Sequence, residues 1–259
     1  MTKAASQLIE LLSKKESLAA VLAPSFPIVF SYPEIAEKLR RLGFNYVVEV
    51  ALGAKETNES LLKLLKENDK AKFITSPCAS LSRIVETSYP GLVKYLALVD
   101  SPMVYTAKIV KEKWPQSQPV FIGPCPIKKL EAKDYPELNI LVLTYRELEE
   151  VFQYFNLDDQ ETDKNSRFDL ESRETRLYPI SGGLSQSSGL DLGLGQDELQ
   201  VVSGWQNCES ALKGFEKNTS IRLLDILYCE GGCLNGLGIE SKLSLAERRK
   251  KIIDFWQKG

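Results

Sequence analysis

The sequence predicts an α/β protein made of two lobes, each a mostly parallel twisted sheet flanked by helices. Three observations predict it. Short apolar runs rich in Val, Ile and Leu recur along the chain, the pattern of strands buried on both faces. Helix-forming segments fall between most of them, as crossover connections between parallel strands require. The 259 residues are 43% hydrophobic and 26% charged, ordinary for a soluble globular protein with a real core and long enough for one large domain or two modest ones.

The first 25 residues read as an amphipathic helix carrying Glu10, Lys14, Lys15 and Glu16. Those charges argue against an export signal, and no apolar run is long enough to span a bilayer, so a cytosolic (cytoplasmic) protein with no membrane contact is expected. Strands are predicted over 27–31, 46–52, 72–75, 119–123, 139–144, 199–203 and 221–228, the last interrupted by Arg222 and Asp225. Helices are predicted between them over 33–42, 56–68, 79–88, 102–114, 145–154 and 207–217. Two stretches break the alternation. Residues 156–176 are polar and heavily charged, and 181–195 are rich in glycine and serine, so both read as surface or cofactor-covering loop. The last helix, 244–258, begins with Ser244 and Glu247 three residues on, a capping box in which each side chain satisfies the other's backbone N–H. One domain over 1–259 is expected, with lobes near 1–100 and 101–240.

Composition excludes several functions. The net charge is −2 and there is no long basic run, so nothing points to nucleic acid. The chain has five cysteines, an odd number that argues against a disulfide framework where no export signal is present. It has no histidine, which removes the commonest general base, the Ser-His and Cys-His nucleophile pairs, and mixed Cys/His zinc sites. Thiolates, carboxylates, lysines or a bound cofactor must carry any chemistry.

Four thiols form a group. Cys78 follows Thr75-Ser76-Pro77, Cys125 sits in Gly123-Pro124-Cys125-Pro126, and Cys229-Glu230-Gly231-Gly232-Cys233 holds the other two. Each loop follows a predicted strand, where open α/β sheets place their ligands. Thiolates are soft ligands that hold iron–sulfur clusters, and glycine lets the backbone approach a bulky inorganic group. The spacing is too wide for a zinc ribbon or a ferredoxin run and suits a cluster gripped between two lobes.

These segments resemble the signature motifs of the iron-only (FeFe) hydrogenase catalytic domain, whose usual forms are TSCCP, MPCxxKxxE and CxGGCxxGG. Supporting matches in family order are Ala23-Pro24-Ser25, Gly53-Ala54, Tyr89-Pro90, Ser101-Pro102, Leu143-Thr144 and Ser181-Gly182-Gly183. The resemblance spans nearly the whole chain. It implies reversible H2 oxidation and proton reduction at an H-cluster, a 4Fe–4S cube joined through one cysteine sulfur to a two-iron unit carrying CO, cyanide and a bridging dithiolate amine. By position, Cys78, Cys125 and Cys229 would hold the cube, and Cys233 would hold it and bridge to the two-iron unit. Lys128 would donate to a cyanide. Ala23, Pro24 and Ser25 would line the other side, with Gly231 and Gly232 allowing close approach. The implied partners are H2, protons, ferredoxin or a similar electron carrier, and hydrogenase maturation proteins.

The chain also departs from the pattern. Pro77 stands where relatives carry a proton-relaying cysteine, and it has no ionisable group. Gly123 and Leu227 replace methionines, Met103 replaces a glutamine, and Glu230 replaces a proline and offers a substitute proton carrier. The ferredoxin-like domains of many members are absent, so electrons would enter the cube directly. The plainer alternatives are packed structural thiols, a solvated Lys128 and an exposed turn carboxylate at Glu230. Cys208 reads as a packed thiol outside every motif. Glu56 and Glu59 read as a solvated helix face, Arg83 and Glu86 as a surface i,i+3 pair, and Trp114, Trp205 and Trp256 as core or interface anchors. At the level of function the alternatives are a low-activity hydrogen or redox sensor, and an iron–sulfur scaffold without the two-iron unit.

Overall fold

Short, fully apolar runs cannot leave either face in water, so they pair inside the molecule. The computed structural model describes residues 1–157 and 166–258, and in it these runs form two parallel sheets. The first has the order β2-β1-β4-β5, from Leu18–Leu22 (β1), Tyr46–Glu49 (β2), Gln118–Gly123 (β4) and Leu141–Thr144 (β5). The second has the order β3-β7-β6, from Phe73–Ile74 (β3), Leu199–Ser203 (β6) and Leu223–Leu227 (β7). The α/β class with parallel sheets is therefore as the alternation predicts. Each sheet takes strands from both sides of residue 100, so the expected division into 1–100 and 101–240 does not separate them.

The helices are Lys3–Ser13 (α1), Glu34–Leu42 (α2), Ala51–Glu67 (α3), Ala79–Ser88 (α4), Pro102–Lys113 (α5), Lys128–Glu131 (α6), Tyr145–Tyr154 (α7), Gly183–Ser188 (α8), Leu190–Gly193 (α9), Trp205–Gly214 (α10) and Leu245–Lys258 (α11). α3 and α5 pack tightly at Gly53, where an added Cβ would stand 2.2 Å from the Pro102 carbonyl oxygen. The box at the start of α11 forms: Ser244 N donates to Glu247 Oε2 at 2.7 Å and Glu247 N to Ser244 Oγ at 3.4 Å.

Three local readings are corrected. The predicted opening helix ends at Ser13, and its tail becomes β1. Leu18–Leu22 is buried throughout between β2 and β4, so burial on both faces overrides the helix propensity of Leu and Ala. Residues 27–31 are not a strand; Phe26–Ile28 is a 3-10 turn, and Pro27 has no N–H to give a ladder. The predicted loop 181–195 holds α8 and α9, anchored by buried Leu184, Ser185 and Leu190. In the other predicted loop, 156–176, residues 158–165 lie outside the described residues.

A buried ion pair fastens the segment after 166 to the first sheet. Arg176 donates to both oxygens of Glu49, at 2.8 and 3.0 Å, and to Glu171 at 2.8 Å. Its guanidinium also lies 4.1 Å from the ring centre of Phe255 on α11. Arg176 is 1% exposed and Glu49 0%. Burial pushes the Glu49 carboxyl up to about 7 despite the arginine beside it.

Candidate metal centre

Parallel strands point their carboxyl ends the same way, so the loops that follow them meet. Ala23-Pro24-Ser25 follows β1, Pro77-Cys78 follows β3, Pro124-Cys125 follows β4 and Cys229 to Cys233 follows β7. Cys78, Cys125, Cys233, Lys128 and Ala23 to Ser25 line one largely apolar cavity, with about 740 Å³ of empty space counting its mouth. Cys229 lies outside this lining, beside exposed Tyr228.

All five cysteines are free. Cys78, Cys125, Cys229 and Cys233 lie within electrostatic reach of one another. Cys78 is the N-cap residue of α4; Leu81 N donates to its carbonyl oxygen at 2.9 Å, and the backbone N–H groups of Tyr228 and Leu81 are near enough to its thiol to favour the thiolate. Burial pushes the Cys78 thiol up, against those N–H groups. Burial also drives Cys233 well up and Cys229 to about 11, and in both the neighbouring thiols add to it. Such thiols hold their protons until a metal displaces them.

Among the described residues, no three Cys, Asp or Glu side chains converge closely enough to hold a single metal ion. Four free thiols are a donor set of the kind that fits an iron–sulfur cluster. Gly232 has φ +100°, and a Cβ there would stand 2.4 Å from the Pro179 carbonyl oxygen, so only glycine makes this turn. The residues present fit the group.

Lys128 is not a surface lysine. Its side chain is 12% exposed, and its Nζ donates to Pro77 O at 3.0 Å. It also lies 2.5 Å from Glu131 Oε2, an ion pair whose angles fall outside hydrogen-bond geometry. Burial lowers the lysine's pKa, but Glu131, Cys125 and Cys78 outweigh it and raise the pKa above its ordinary value. The Ser25 hydroxyl is committed to Tyr145 Oη at 2.7 Å, and Tyr145 Oη donates to Ala23 O at 3.0 Å.

Other predicted residues stand elsewhere. Glu230 is exposed, packs over Gly204 and lines a separate outer cleft with Asn207 and Lys217 rather than the cavity. The reason is the turn at Gly231, φ +73°, which sends the preceding side chain outward. Glu56 and Glu59 do not line the cavity either; Thr57 and Asn58 are the buried residues of that turn of α3. Arg83 pairs with Glu86 at 3.3 Å and also with Asp134. Cys208 is fully buried and donates to Leu227 O at 3.3 Å. Trp114 stacks on Tyr46, and Trp256 is 39% exposed. The Phe121 ring fills the space beside Gly123, 2.5 Å from where a Cβ would be.

The sequence reasoning missed two polar residues of the cavity wall, Asp225 and Tyr178. Asp225 had left a signal as the acid inside the apolar run 221–228; Tyr178 had left none.

The family described as iron only hydrogenase large subunit, C-terminal domain, matches residues 16–237. NADP-reducing hydrogenase subunit HndD of Solidesulfovibrio fructosivorans is 23% identical over 263 residues, covering 79% of this chain and 45% of that protein. Iron hydrogenase 1 of Clostridium pasteurianum is 23% identical over 261 residues, with the same coverage of 79% and 45%. Cytosolic Fe-S cluster assembly factor NAR1 of Eremothecium gossypii is 30% identical over 122 residues, 45% of this chain and 27% of that protein. The chain thus spans about half the length of the two curated hydrogenases. FeFe-hydrogenase HydA1 from Chlamydomonas reinhardtii superposes with a TM-score of 0.72 at 18% identity, covering 97% of this chain and 88% of that one, a likeness of fold. No described helix is long and apolar enough to cross a membrane. Four thiols gathered at the carboxyl ends of two parallel sheets, with the family matched from residue 16 to residue 237, place this chain in the iron-only hydrogenase large subunit, C-terminal domain family, whose members carry iron–sulfur cofactors.

Proposed function

We propose that the chain is an FeFe-type hydrogenase that oxidises H2 and reduces protons. The observation that carries this reading is the set of three free thiols, Cys78, Cys125 and Cys233, with buried Lys128 at one apolar cavity, and Cys229 four residues before Cys233 on the same loop. Cys78, Cys125 and Cys229 hold a 4Fe–4S cube, and Cys233 holds it and shares its sulfur with a two-iron unit. When bound, this H-cluster supplies the splitting and joining of H2 at the two-iron unit and electron exchange through the cube.

The chain's own groups hold and orient it. Lys128 has three donors as an ammonium; Pro77 O engages one and Glu131 pairs with its charge, which leaves a donor for a cyanide nitrogen in the cavity. Glu131 keeps that lysine charged. Ala23 and Pro24 form an apolar wall that excludes water and strengthens electrostatic contacts inside. Tyr145, by holding both Ser25 and Ala23 O, fixes the loop after β1. Electrons exchange with a ferredoxin-type carrier on the side of Cys229, and maturation proteins deliver the two-iron unit.

The test is to reconstitute the chain with iron and sulfide, install the two-iron unit and record infrared spectra and H2 turnover. CO and cyanide bands with turnover are expected. Bands without turnover would favour the sensor reading, which Pro77 motivates. Iron and sulfide without the bands would favour a scaffold, the reading that the partial match to the cluster assembly factor supports.

A further inference from the structure

The cavity wall contains a carboxyl group that the proposed function leaves unused. Asp225 lies on the face of β7 shared with Leu223 and Leu227, since side chains alternate along a strand. It is 2% exposed and lines the cavity with Pro77, Lys128 and Tyr178. Its Oδ2 accepts from Ser185 Oγ at 2.6 Å and from Ser185 N at 3.4 Å. Burial pushes its pKa up and Ser185 draws it part of the way back; no cation contributes. Burying a carboxyl without a cation is costly, and an amide would accept the same bonds at less cost. A buried acid aimed into a cleft is a mark of a working group. Pro77 faces the same space with nothing to ionise.

We propose that Asp225 is the proton-exchanging group of this cavity, with Ser185 holding its carboxyl in position. The inference rests on the hydrogenase reading. Cleavage of one H2 yields two protons and two electrons; the electrons leave by the thiol-bound cube and the protons leave one at a time. The Asp225 carboxylate takes a proton from the cavity and becomes the acid. The acid then gives that proton up to solvent water at the mouth of the cavity, and the carboxylate, held by Ser185, is restored. Proton reduction runs the same path inward. Tyr178, the other titratable group at this end, donates to Asn58 Oδ1 at 3.1 Å, and Asn58 Nδ2 donates to Ser187 Oγ at 3.1 Å. This pair ties α8 to α3 and keeps Ser185 against Asp225. The remaining titratable groups that line the cavity are Lys128, Cys78, Cys125 and Cys233.

The test compares wild type, Asp225→Asn and Ser185→Ala in the full chain carrying the installed cofactor. Asp225→Asn keeps an acceptor for Ser185 but carries no proton. It is expected to show wild-type CO and cyanide bands and H2 turnover lowered by about a hundredfold, the lower end of what a positioned acid–base group supplies. The infrared carboxyl stretch that Asp225→Asn removes is expected to shift when the cofactor is installed in wild type. Turnover of Asp225→Asn within twofold of wild type, or a carboxyl band blind to the cofactor, would overturn the proposal. Should Asp225→Asn not fold, Ser185→Ala decides: a shifted Asp225 carboxyl band and turnover lowered about tenfold, with unchanged cofactor bands, support the assignment, and an unchanged band with unchanged turnover refutes it. Wild type that carries the cofactor yet turns over no H2 would sink the hydrogenase reading instead, and the carboxyl band alone would then rule on Asp225.

Discussion

Replacing Arg176 by methionine removes the cation that meets Glu49. Both side chains are essentially buried, at 1% and 0% exposure, and the two hydrogen bonds between them are 2.8 and 3.0 Å. Breaking a buried pair from one side strands a charge, which costs about 3–5 kcal/mol. The cost has a pH dependence with a definite sign. Glu49 titrates near 7 in the folded protein against an ordinary 4.5, so the folded state holds a proton that the unfolded state has released. The resulting stability is complete below pH 4.5 and is lost as pH rises through 7. The span from 4.5 to 7 corresponds to about 3 kcal/mol. Without Arg176, Glu49 stays protonated to still higher pH, so the penalty of Arg176→Met is expected to be small at pH 5 and to approach its full value above pH 7. Urea unfolding of wild type and variant at several pH values measures this, with ΔΔG taken from the midpoint shift at constant m. The double variant Glu49→Leu with Arg176→Met is expected to recover most of the loss. A penalty below about 1 kcal/mol above pH 7, or one that shrinks as pH rises, would refute the reasoning. The outcome bears on the centre, because Tyr178 and Pro179 of the cavity wall follow directly after this arginine.

Three further outcomes are expected. Cys233→Ala should retain no infrared bands from the two-iron unit after maturation; retained bands would show that another residue tethers it. Cys208→Ala should leave iron content and H2 turnover unchanged, since this thiol donates only to the Leu227 carbonyl; a marked loss of iron by colorimetric assay would reassign it. Gly53→Ala should cost about 1–3 kcal/mol in a denaturant melt, because its Cβ would press against the Pro102 backbone, which is not free to swing away.

Much of the fold was legible because its signals are local. α4, α7 and β6 occupy the predicted residues, where hydrophobic period and flanking residues agree. β1 was not legible: Leu18-Ala19-Ala20-Val21-Leu22 is too short and too uniformly apolar to reveal a period, and only its two neighbours make it a strand. α8 and α9 were hidden for a related reason. Gly182 and Gly189 read as breakers, yet their left-handed backbones, φ +80° and +73°, serve as the joints between turns of helix.

By itself the sequence determined the α/β class, the ligand chemistry and the family resemblance, since alternation of elements, four cysteines and the absence of histidine are properties of residue type and order. Only the tertiary structure decided which groups share the cavity. It turned Glu230 out over Gly204, buried Lys128 against Glu131 and brought Asp225 to the cavity wall. Side-chain direction depends on strand register, on positive-φ turns and on what packs behind them, and residues more than a hundred positions apart set all three.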